Sequence, residues 1–291
     1  MRSAPAPAMR PEYVLAEAAD VVEVAAVTRD LSTWERVSGN TALRRAFVLA
    51  VLALAWEIYA RVAQNPLLFP TFSDTCVAFA RAIASGELVR RVLNSLGVLA
   101  IGYALGLLLA AALTTFAVTT RIGTDFLSTI TAMLNPLPAI ALLPLALLWF
   151  GLGTPSTLFV LLHSVIWPVA LNTHAGFLSV SETLRMAGQN YGLRGVPFIL
   201  RILVPAAFPS ILTGMKIGWA FAWRTLIAAE LVFGSNGGGG LGWYIFENRN
   251  QMEVANVFGG LLTVILIGLL VESLVFRNVE NATVRKWGMQ R

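Results

Sequence analysis

The sequence predicts an all-α membrane protein with about six transmembrane helices. Of its 291 residues, 57% are hydrophobic and only 13% are charged, and the mean hydropathy is +0.71. A water-soluble domain of this length needs more polar surface. Apolar runs of spanning length follow one another without a long polar interruption, so we expect a single membrane domain.

The spans are placed by the rule that about 20 apolar helical residues cross the hydrocarbon of a bilayer. They lie near residues 43–63, 91–118, 127–150, 157–178, 207–233 and 255–277. Basic residues close to span ends are retained in the cytoplasm, and their distribution favours two cytoplasmic termini. The chain then divides into an N-terminal cytoplasmic extension (1–42), a membrane domain (43–277) and a cytoplasmic C-terminal tail (278–291).

The N-terminal extension shows no apolar core followed by a small-residue cleavage site, so we expect it to stay on the mature protein. Apolar residues recur there at helical spacing, largely opposite an acidic face: Val14, Ala18, Val21, Val22 and Ala25. A short amphipathic helix that binds an interface or a partner and a solvated tail both stay open. The acidic face disfavours binding to anionic lipid.

Residue types exclude several classes of function. The 21 Lys and Arg exceed the 16 Asp and Glu, but they stand singly or in pairs and form no dense face for a nucleic acid. A single cysteine, Cys76, allows neither an intrachain disulfide nor a cysteine-based metal site. His163 and His174 are separated by about 16 Å along one helix, too far to share an ion. We expect no metal or cofactor on this chain.

The chain also lacks a nucleotide site of the P-loop type. That motif places a lysine directly after a glycine, whereas Lys216 and Lys286 both follow other residues. The glycine run 237–240 contains no lysine, and a flexible extracytoplasmic turn is expected there. Energy must therefore come from a nucleotide bound by another chain or from an ion gradient.

The third span carries Pro136, Pro138 and Pro144. Each proline lacks an amide donor and clashes with the preceding turn, so we expect this helix to be kinked or interrupted. The carbonyl groups freed by a break need partners within the membrane. A lining of a substrate pathway and a purely structural kink both remain open. In the second span, Gly102 and Gly106 predict close packing between helices.

A polar segment over 179–205, called the elbow below, separates the fourth and fifth spans and has the pattern of two short helices. Ser179 and Glu182 fit a capping box, Gly192 can end the first helix, and Pro197 suits the first turn of the second. Its apolar residues are Met186, Ala187, Val196, Phe198, Ile199, Ile202 and Leu203. An apolar surface outside the membrane indicates a partner.

The elbow resembles the signature E-A-A-x3-G-x9-I-x-L-P of the inner-membrane permeases of binding-protein-dependent ABC importers. The matching positions are Met186, Ala187, Gly188, Gly192, Ile202, Leu203, Val204 and Pro205. Met186 replaces the acidic residue, Gly188 the second alanine and Val204 the leucine. We therefore expect the partner interface to rely on apolar packing where relatives use a charge.

Other segments within 43–277 resemble the nitrate, sulfonate and taurine branch of that family. They are Leu68-Phe69-Pro70-Thr71, Asn135-Pro136-Leu137-Pro138, Leu148-Trp149-Phe150-Gly151, Leu171-Asn172-Thr173, Ala228-Ala229-Glu230 and Gly240-Leu241-Gly242-Trp243. The resemblance implies a type I ABC importer permease fold with a cytoplasmic coupling-helix elbow, in a bacterial inner membrane.

The resemblance also implies the partners. Two permease subunits would pair, with a homodimer expected and a mixed pair still open, and cytoplasmic ABC ATPase subunits carrying ATP and Mg would bind the elbows. An extracytoplasmic binding protein would deliver a small anionic solute, and this chain would catalyse nothing. ATPase coupling would fall on Met186, Ala187, Gly188, Gly192, Ile202, Val204 and Pro205.

Ionisable residues inside spans usually face a cavity or a partner. Lys216 is expected to extend its amine to the membrane interface, and Glu230 to hold helix packing or the outer gate. Arg224 has two explanations: it lines the route of an anion, since a guanidinium binds carboxylate, sulfonate or nitrate well, or it pairs with Glu57 or Glu230. The candidate pathway residues are Pro136, Pro138, Asn172, Trp223, Arg224 and Glu230.

A gradient-driven secondary transporter is the alternative function. It predicts inverted repeats and ion-coupling carboxylates near the midplane of the membrane, and the sequence shows no convincing repeat. The identity of the solute does not follow from this chain, because a separate binding protein does most of the selecting in such importers.

Overall fold

A computed structural model describes residues 41–234 and 239–286 of the chain. The predicted amphipathic helix near the N-terminus and residues 287–291 lie outside these ranges. The chain divides into two units, Met1–Leu52 and Ala53–Arg291. Of the first unit only the beginning of helix α1 (Thr41–Ala63) is described, and every contact and cavity below lies in the second unit.

All regular structure in the described residues is helical. After α1 come α2 (Phe72–Ala84), α3 (Glu87–Thr119), α4 (Arg121–Leu134), a 3₁₀ turn (Ala139–Leu142), α5 (Leu143–Phe150), α6 (Thr154–Leu178) and α7 (Glu182–Asn190). Then follow α8 (Gly195–Phe198), a π turn (Ile199–Leu203), α9 (Val204–Phe233), α10 (Leu241–Asn250), α11 (Val254–Leu270), a π turn (Val271–Phe276), α12 (Arg277–Glu280) and a last π turn (Asn281–Arg285).

Five helical stretches of the described chain are long and apolar enough to cross a membrane. They are Thr41–Ala63, Glu87–Thr119, Thr154–Leu178, Gly195–Phe233 and Val254–Arg285. The pair formed by Arg121–Leu134 and Ala139–Phe150 makes a sixth span if it is counted as one, but its two parts are bent by 85°. The prediction of about six spans is therefore confirmed, and so is the interruption of the third.

The three prolines of the third span act differently. Pro136 and Pro138 lie in the break itself, between α4 and the 3₁₀ turn. Pro144 lies in the first turn of α5, where a missing amide donor leaves no hydrogen bond unmade. The bend therefore follows from Pro136 and Pro138, because their rings cannot continue the helix of α4.

Helix α6 lies at the centre of the bundle, between α3 and α9. On the side of α3, an added Cβ at Gly106 would stand 2.7 Å from Val165, and one at Gly102 would stand 2.9 Å from Leu161. On the side of α9, an added Cβ at Gly176 would stand 2.6 Å from Ser210. The predicted close packing at Gly102 and Gly106 is confirmed, and small residues bring α3 and α9 up to α6.

The predicted spans do not include the helices α2 and α10. Helix α2 is capped by Thr71, whose hydroxyl accepts a hydrogen bond from the Asp74 amide at 3.0 Å. Helix α10 packs on α9 and α11 and buries Tyr244, and this burial raises the pKa of the phenol to about 12. Both helices are shorter than a span, so hydropathy alone does not reveal them.

The predicted C-terminal tail begins as packed helix. Val284 is buried against Leu212 and Phe276, and the Lys216 amine lies 2.7 Å from the Glu280 carboxylate. The expected extension of Lys216 to the membrane interface stays a prediction, and the structure adds an ion pair with α12 at its amine. Residues 278–285 thus fasten the last helix to α9.

Candidate functional site

The first arm of the elbow ends in a Schellman motif. Gly192 has a φ of +77°, which places it in the left-handed region that favours glycine. Its amide donates to Gln189 O at 2.9 Å, and the Leu193 amide donates to Gly188 O at 3.1 Å. These are the two closing bonds of that motif. The prediction that Gly192 ends the first helix is confirmed, and the turn it makes has a defined geometry.

The two arms of the elbow contact each other at Gly188. This glycine is buried, and an added Cβ would lie 2.9 Å from Ile202 and 3.0 Å from Phe198. No side chain larger than hydrogen fits unless one of these neighbours moves. Because Ile202 lies on the turn that leads into α9, the contact fixes α7 against the start of that helix.

The first arm is also tied to the end of α6. The guanidinium of Arg185 donates to Phe177 O and, at 3.2 Å, to Val180 O, so it adds side-chain hydrogen bonds at the C-terminal end of α6. The predicted capping box is wrong. The Ser179 hydroxyl donates back to Gly176 O at 2.8 Å, and α7 begins after Ser181 without a side-chain cap.

A buried apolar cluster completes the attachment. It joins the end of α6 to the second arm and consists of Phe177, Val180, Ile199, Leu203 and Ala207. Ile199 and Leu203 are therefore not part of the exposed surface that the sequence predicts. Met186 and Val196 remain 50% and 54% exposed, together with Tyr191 and Leu200, so a smaller apolar face is left open to a partner.

The matched coupling positions thus have distinct surroundings. Met186 is exposed, Gly188 is buried between the arms, and Gly192 makes the turn. Ala187, Ile202, Val204 and Pro205 are partly buried. Pro205 lies in the first turn of α9, where the ring is tolerated.

A cavity of about 310 Å³, called the Arg224 cavity below, opens beside the break in the third span. Its wall comes from three elements: the break, the middle of α6 and the second half of α9. Of the predicted pathway residues, Pro136, Pro138 and Arg224 line it. The structure therefore brings the broken span and the arginine within one cleft, although they are far apart in sequence.

Arg224 is held without a carboxylate partner among the described residues. Its Nε donates to Ala220 O at 3.1 Å, and its guanidinium lies 5.0 Å from the ring centroid of Phe221. Glu57 bonds instead to Arg61 and Ser73, so it is not the partner of Arg224. The ion pair proposed as the alternative explanation is thus not formed within the described chain.

His163 holds the broken span to α6. Its Nδ1 accepts a hydrogen bond from Trp167 Nε1 at 3.1 Å, and its Nε2 lies 3.0 Å from Leu137 O. Because an indole nitrogen only donates, Nδ1 carries no proton and Nε2 donates to the carbonyl. Sequence reasoning missed this contact. A histidine inside an apolar span, facing a break that frees carbonyls, was the signal that could have found it.

Two predicted pathway residues lie elsewhere. Trp223 is buried in the core, and its Nε1 donates to Val264 O at 3.2 Å. The Asn172 side chain donates to Pro168 O at 2.8 Å within α6. Neither lines the Arg224 cavity, because each is on a helix face that packs against a neighbouring helix or closes a local hydrogen bond.

Glu230 ties three elements together at the end of the bundle away from the elbow. Its buried carboxylate accepts hydrogen bonds from the Ser95 hydroxyl at 2.7 Å and from the Gly242 amide at 2.7 Å. Ser95 in turn accepts from the Leu241 amide at 2.8 Å. An added Cβ at Gly240 would lie 2.0 Å from Glu230 Oε1, so this glycine is tightly packed and does not belong to a freely flexible turn. Residues 237 and 238 of the predicted turn lie outside the described ranges.

The described residues contain no cluster of three or more His, Cys, Asp or Glu side chains placed to hold a metal ion. The chemistry of this site is therefore that of an arginine in an apolar cleft and of a fixed elbow at one end of the bundle.

Known proteins are similar to this chain over half of its length or more. The putative aliphatic sulfonates transport permease protein of Escherichia coli is 27% identical over 227 residues, which cover 78% of this chain and 85% of the relative. The nitrate import permease protein of Synechocystis sp. is 28% identical over 246 residues, 80% of this chain and 86% of the relative. The taurine transport system permease protein of Escherichia coli is 32% identical over 146 residues, 50% of this chain and 52% of the relative.

The match to a family model covers the elbow, the broken span and Arg224 together. It runs over residues 92–281 and carries the description "binding-protein-dependent transport system inner membrane component". The fold fits it, with five or six apolar spans and an elbow that holds the matched signature. The resemblance found in the sequence is confirmed: this chain is a member of the family of binding-protein-dependent transport system inner membrane components, and an ABC transporter permease.

Proposed function

We propose that this chain forms the substrate pathway of an ATP-driven importer and couples closure of a separate ATPase to alternating access. The solute is a small anion of nitrate, sulfonate, taurine or carboxylate type. The relatives named for sulfonate, nitrate and taurine transport support the class, and Arg224 supports the charge. The chain itself catalyses nothing, and ATP and Mg bind to the ATPase subunit.

The attachment of the elbow is the observation that carries this proposal. Gly188 locks the two arms together, Arg185 ties the first arm to α6, and the second arm continues without a gap into α9. A force on the elbow therefore reaches two helices that line the Arg224 cavity. A loosely attached loop would dissipate the motion, whereas packed elements move together.

The remaining parts of the assembly follow from the same proposal. The elbow and both termini lie in the cytoplasm of a bacterium, and a second copy of the chain completes the pathway as a homodimer. An extracytoplasmic binding protein delivers the solute to the end of the bundle near Glu230. The ATPase contacts the exposed apolar face of the elbow around Met186 and Val196.

Copurification tests the proposal directly. The tagged chain, expressed in its native host and extracted in mild detergent, should retain an ATPase subunit. Val196→Asp should reduce that retention severalfold, because it buries a charge in an apolar interface. Ile122→Asp is the matched control, since Ile122 is also an exposed apolar residue, 77% exposed, but lies outside the elbow.

A gradient-driven carrier gives the opposite results. It would retain no ATPase, and Val196→Asp would not affect it. Its uptake in vesicles would continue after ATP is removed. Retention of an ATPase that is equally weakened by both substitutions would show that the contact lies elsewhere than on the elbow.

A further inference from the structure

A second cavity continues from the Arg224 cavity along α6. It measures about 300 Å³ and is bounded by α4, the break and the part of α6 around Leu171 and His174. The two cavities share Asn135 and Pro136. Since His163 and Trp167 line the first cavity and Leu171 and His174 the second, the pair follows α6 toward the elbow.

The Arg224 cavity combines one cation with a mostly apolar wall. Apart from the proline rings, the apolar lining includes Leu137, Ile140, Trp167 and Phe221. The Ser164 and Thr225 hydroxyls bond to each other at 2.9 Å, and His163 is occupied by Leu137 O and Trp167. The polar groups left for a ligand are therefore few.

Two of those groups, Arg224 and Asn135, line the Arg224 cavity, and Asn135 also lines the second cavity. The terminal guanidinium nitrogens of Arg224 and the side-chain amide of Asn135 make no hydrogen bond to residues 41–234 or 239–286. A guanidinium presents parallel N–H donors that fit the two oxygens of a carboxylate or sulfonate. An unpaired arginine within a span is costly, and an anion in the cavity would compensate its charge.

We propose that the Arg224 cavity binds an organic monoanion with an apolar body, its carboxylate or sulfonate head on Arg224 and Asn135 and its body against Trp167 and Phe221. The second cavity receives the same body on passage toward the elbow. This inference deepens the proposed function by naming the substrate class, and it rests on that function for the direction of passage. Binding itself does not depend on an ATPase.

The size and lining of the cavity separate this class from bare inorganic anions. A ligand pocket begins at about 300 Å³ and is lined predominantly by apolar and aromatic side chains, with a few polar groups that fix orientation. Nitrate would fill little of the 310 Å³ and would exchange its hydration for one guanidinium. An anion with an apolar body gains in addition the burial of that body, worth about 0.8 kcal/mol for each buried CH₂.

Three probes distinguish the contribution of the anionic head to binding from that of the apolar body. Benzenesulfonate has both, nitrate has the charge alone, and benzenesulfonamide has the body alone. The full chain, with the subunits that it retains, is placed in lipid nanodiscs, and saturation-transfer NMR follows the ring protons of each aromatic probe. We expect saturable transfer to benzenesulfonate, at least about tenfold weaker binding of benzenesulfonamide, and no displacement of benzenesulfonate by nitrate at equal concentration.

Substitutions then assign the site. Arg224→Gln should weaken benzenesulfonate about tenfold or more, to the level of benzenesulfonamide, whereas Arg224→Lys should keep part of the affinity, because it retains the charge and loses the fork. Asn135→Ala should weaken it less. Arg249→Gln is the matched control, an exposed arginine on α10 outside the cavity.

Each result decides for or against the site. Nitrate that displaces benzenesulfonate at equal concentration, or benzenesulfonamide that binds equally well, would overturn the proposed class, and these comparisons use the unaltered chain. Unchanged binding in a folded Arg224→Gln variant would overturn the site. Loss of the ATPase in copurification would count against the proposed function but would leave these binding results as they are.

Discussion

Gly192 shows how a single residue fixes the shape of the elbow. Its φ of +77° is one that residues with a Cβ rarely adopt, at a cost of about 1–2 kcal/mol. Two backbone bonds close around it and leave no slack between the end of α7 and the start of the second arm. An added Cβ would meet nothing within 4 Å, so only the backbone conformation restricts this position.

That distinction gives a prediction at the residue scale. Gly192→Ala should destabilise the closed turn by about 1–2 kcal/mol and increase amide hydrogen exchange over 182–203 by roughly tenfold. Gly192→Asn should be much milder, because asparagine visits the left-handed region through local hydrogen bonding. Equal exchange in both variants would mean that the left-handed φ does not limit this position.

Ser95 is the joint between α3, α9 and α10. Its hydroxyl donates to Glu230 and accepts from the Leu241 amide, and both partners are buried. Removal of such a hydroxyl leaves a buried carboxylate and a buried amide each short of a partner. Each buried group that loses its partner lowers the free energy of unfolding by about 1–3 kcal/mol, because the group was desolvated on folding.

We therefore expect Ser95→Ala to lower the melting temperature of the solubilised protein by several degrees. Ser273→Ala is its control, because the Ser273 hydroxyl bonds only to carbonyls of its own exposed helix and should shift the melting temperature little. If the two variants melt together, the Glu230 joint does not limit stability.

The break in the third span is the element on which the Arg224 cavity depends. Pro136 and Pro138 stand in the break, and Pro144 stands in the first turn of α5. A helix that ran straight through 135–138 would move the wall that Leu137 and Pro138 give to the cavity.

The double substitution Pro136→Ala with Pro138→Ala should therefore reduce uptake by at least about tenfold, which corresponds to ~1.4 kcal/mol in the barrier to transport. The measurement is solute accumulation in cells at equal amounts of membrane-inserted protein. Pro144→Ala should leave uptake nearly unchanged. If Pro144→Ala reduced uptake as much as the double substitution does, the loss of any proline in this span, and not the loss of the break, would explain the defect.

At the scale of the whole molecule, α6 and α9 are the pair of helices that packs most extensively. Glycines bring them into contact near the elbow and again along their length, as at Gly176 against Ser210 and Gly218 against Val169. The same two helices carry the Ser164–Thr225 contact beside the cavity. A motion that enters at the elbow should therefore move both helices together, without sliding of one past the other.

A disulfide across the pair tests this. Cys76, the single cysteine, is first replaced by serine, and Ser164→Cys with Thr225→Cys then places two thiols where the hydroxyl oxygens lie 2.9 Å apart. Oxidation should leave uptake within about twofold of the reduced sample, because it restrains a contact that does not change. Uptake that falls on oxidation and returns with reductant would contradict the prediction that the two helices move together.

Hydropathy, proline positions and the family signature together predicted the spans, the break near Pro136 and the turn at Gly192. They did not predict α2 and α10, because helices shorter than a span leave no clear signal in a search for spans. The contacts of Lys216 and Trp223 were not predicted, because they depend on which helix lies opposite and supplies Glu280 and Val264. The roles of His163 and Asn135 could not be predicted, because they depend on the packing of the break beside α6 and α9.

The Phe198 ring and Ile202 occupy the space that a side chain at position 188 would need. A lineage in which position 188 acquires a methyl group would have to shrink one of its two neighbours at about the same time, since overpacking costs roughly 1–3 kcal/mol. The two halves of the elbow are thereby constrained to diverge in concert, and transplanting one half alone into a distant homologue should fail where exchange of both succeeds.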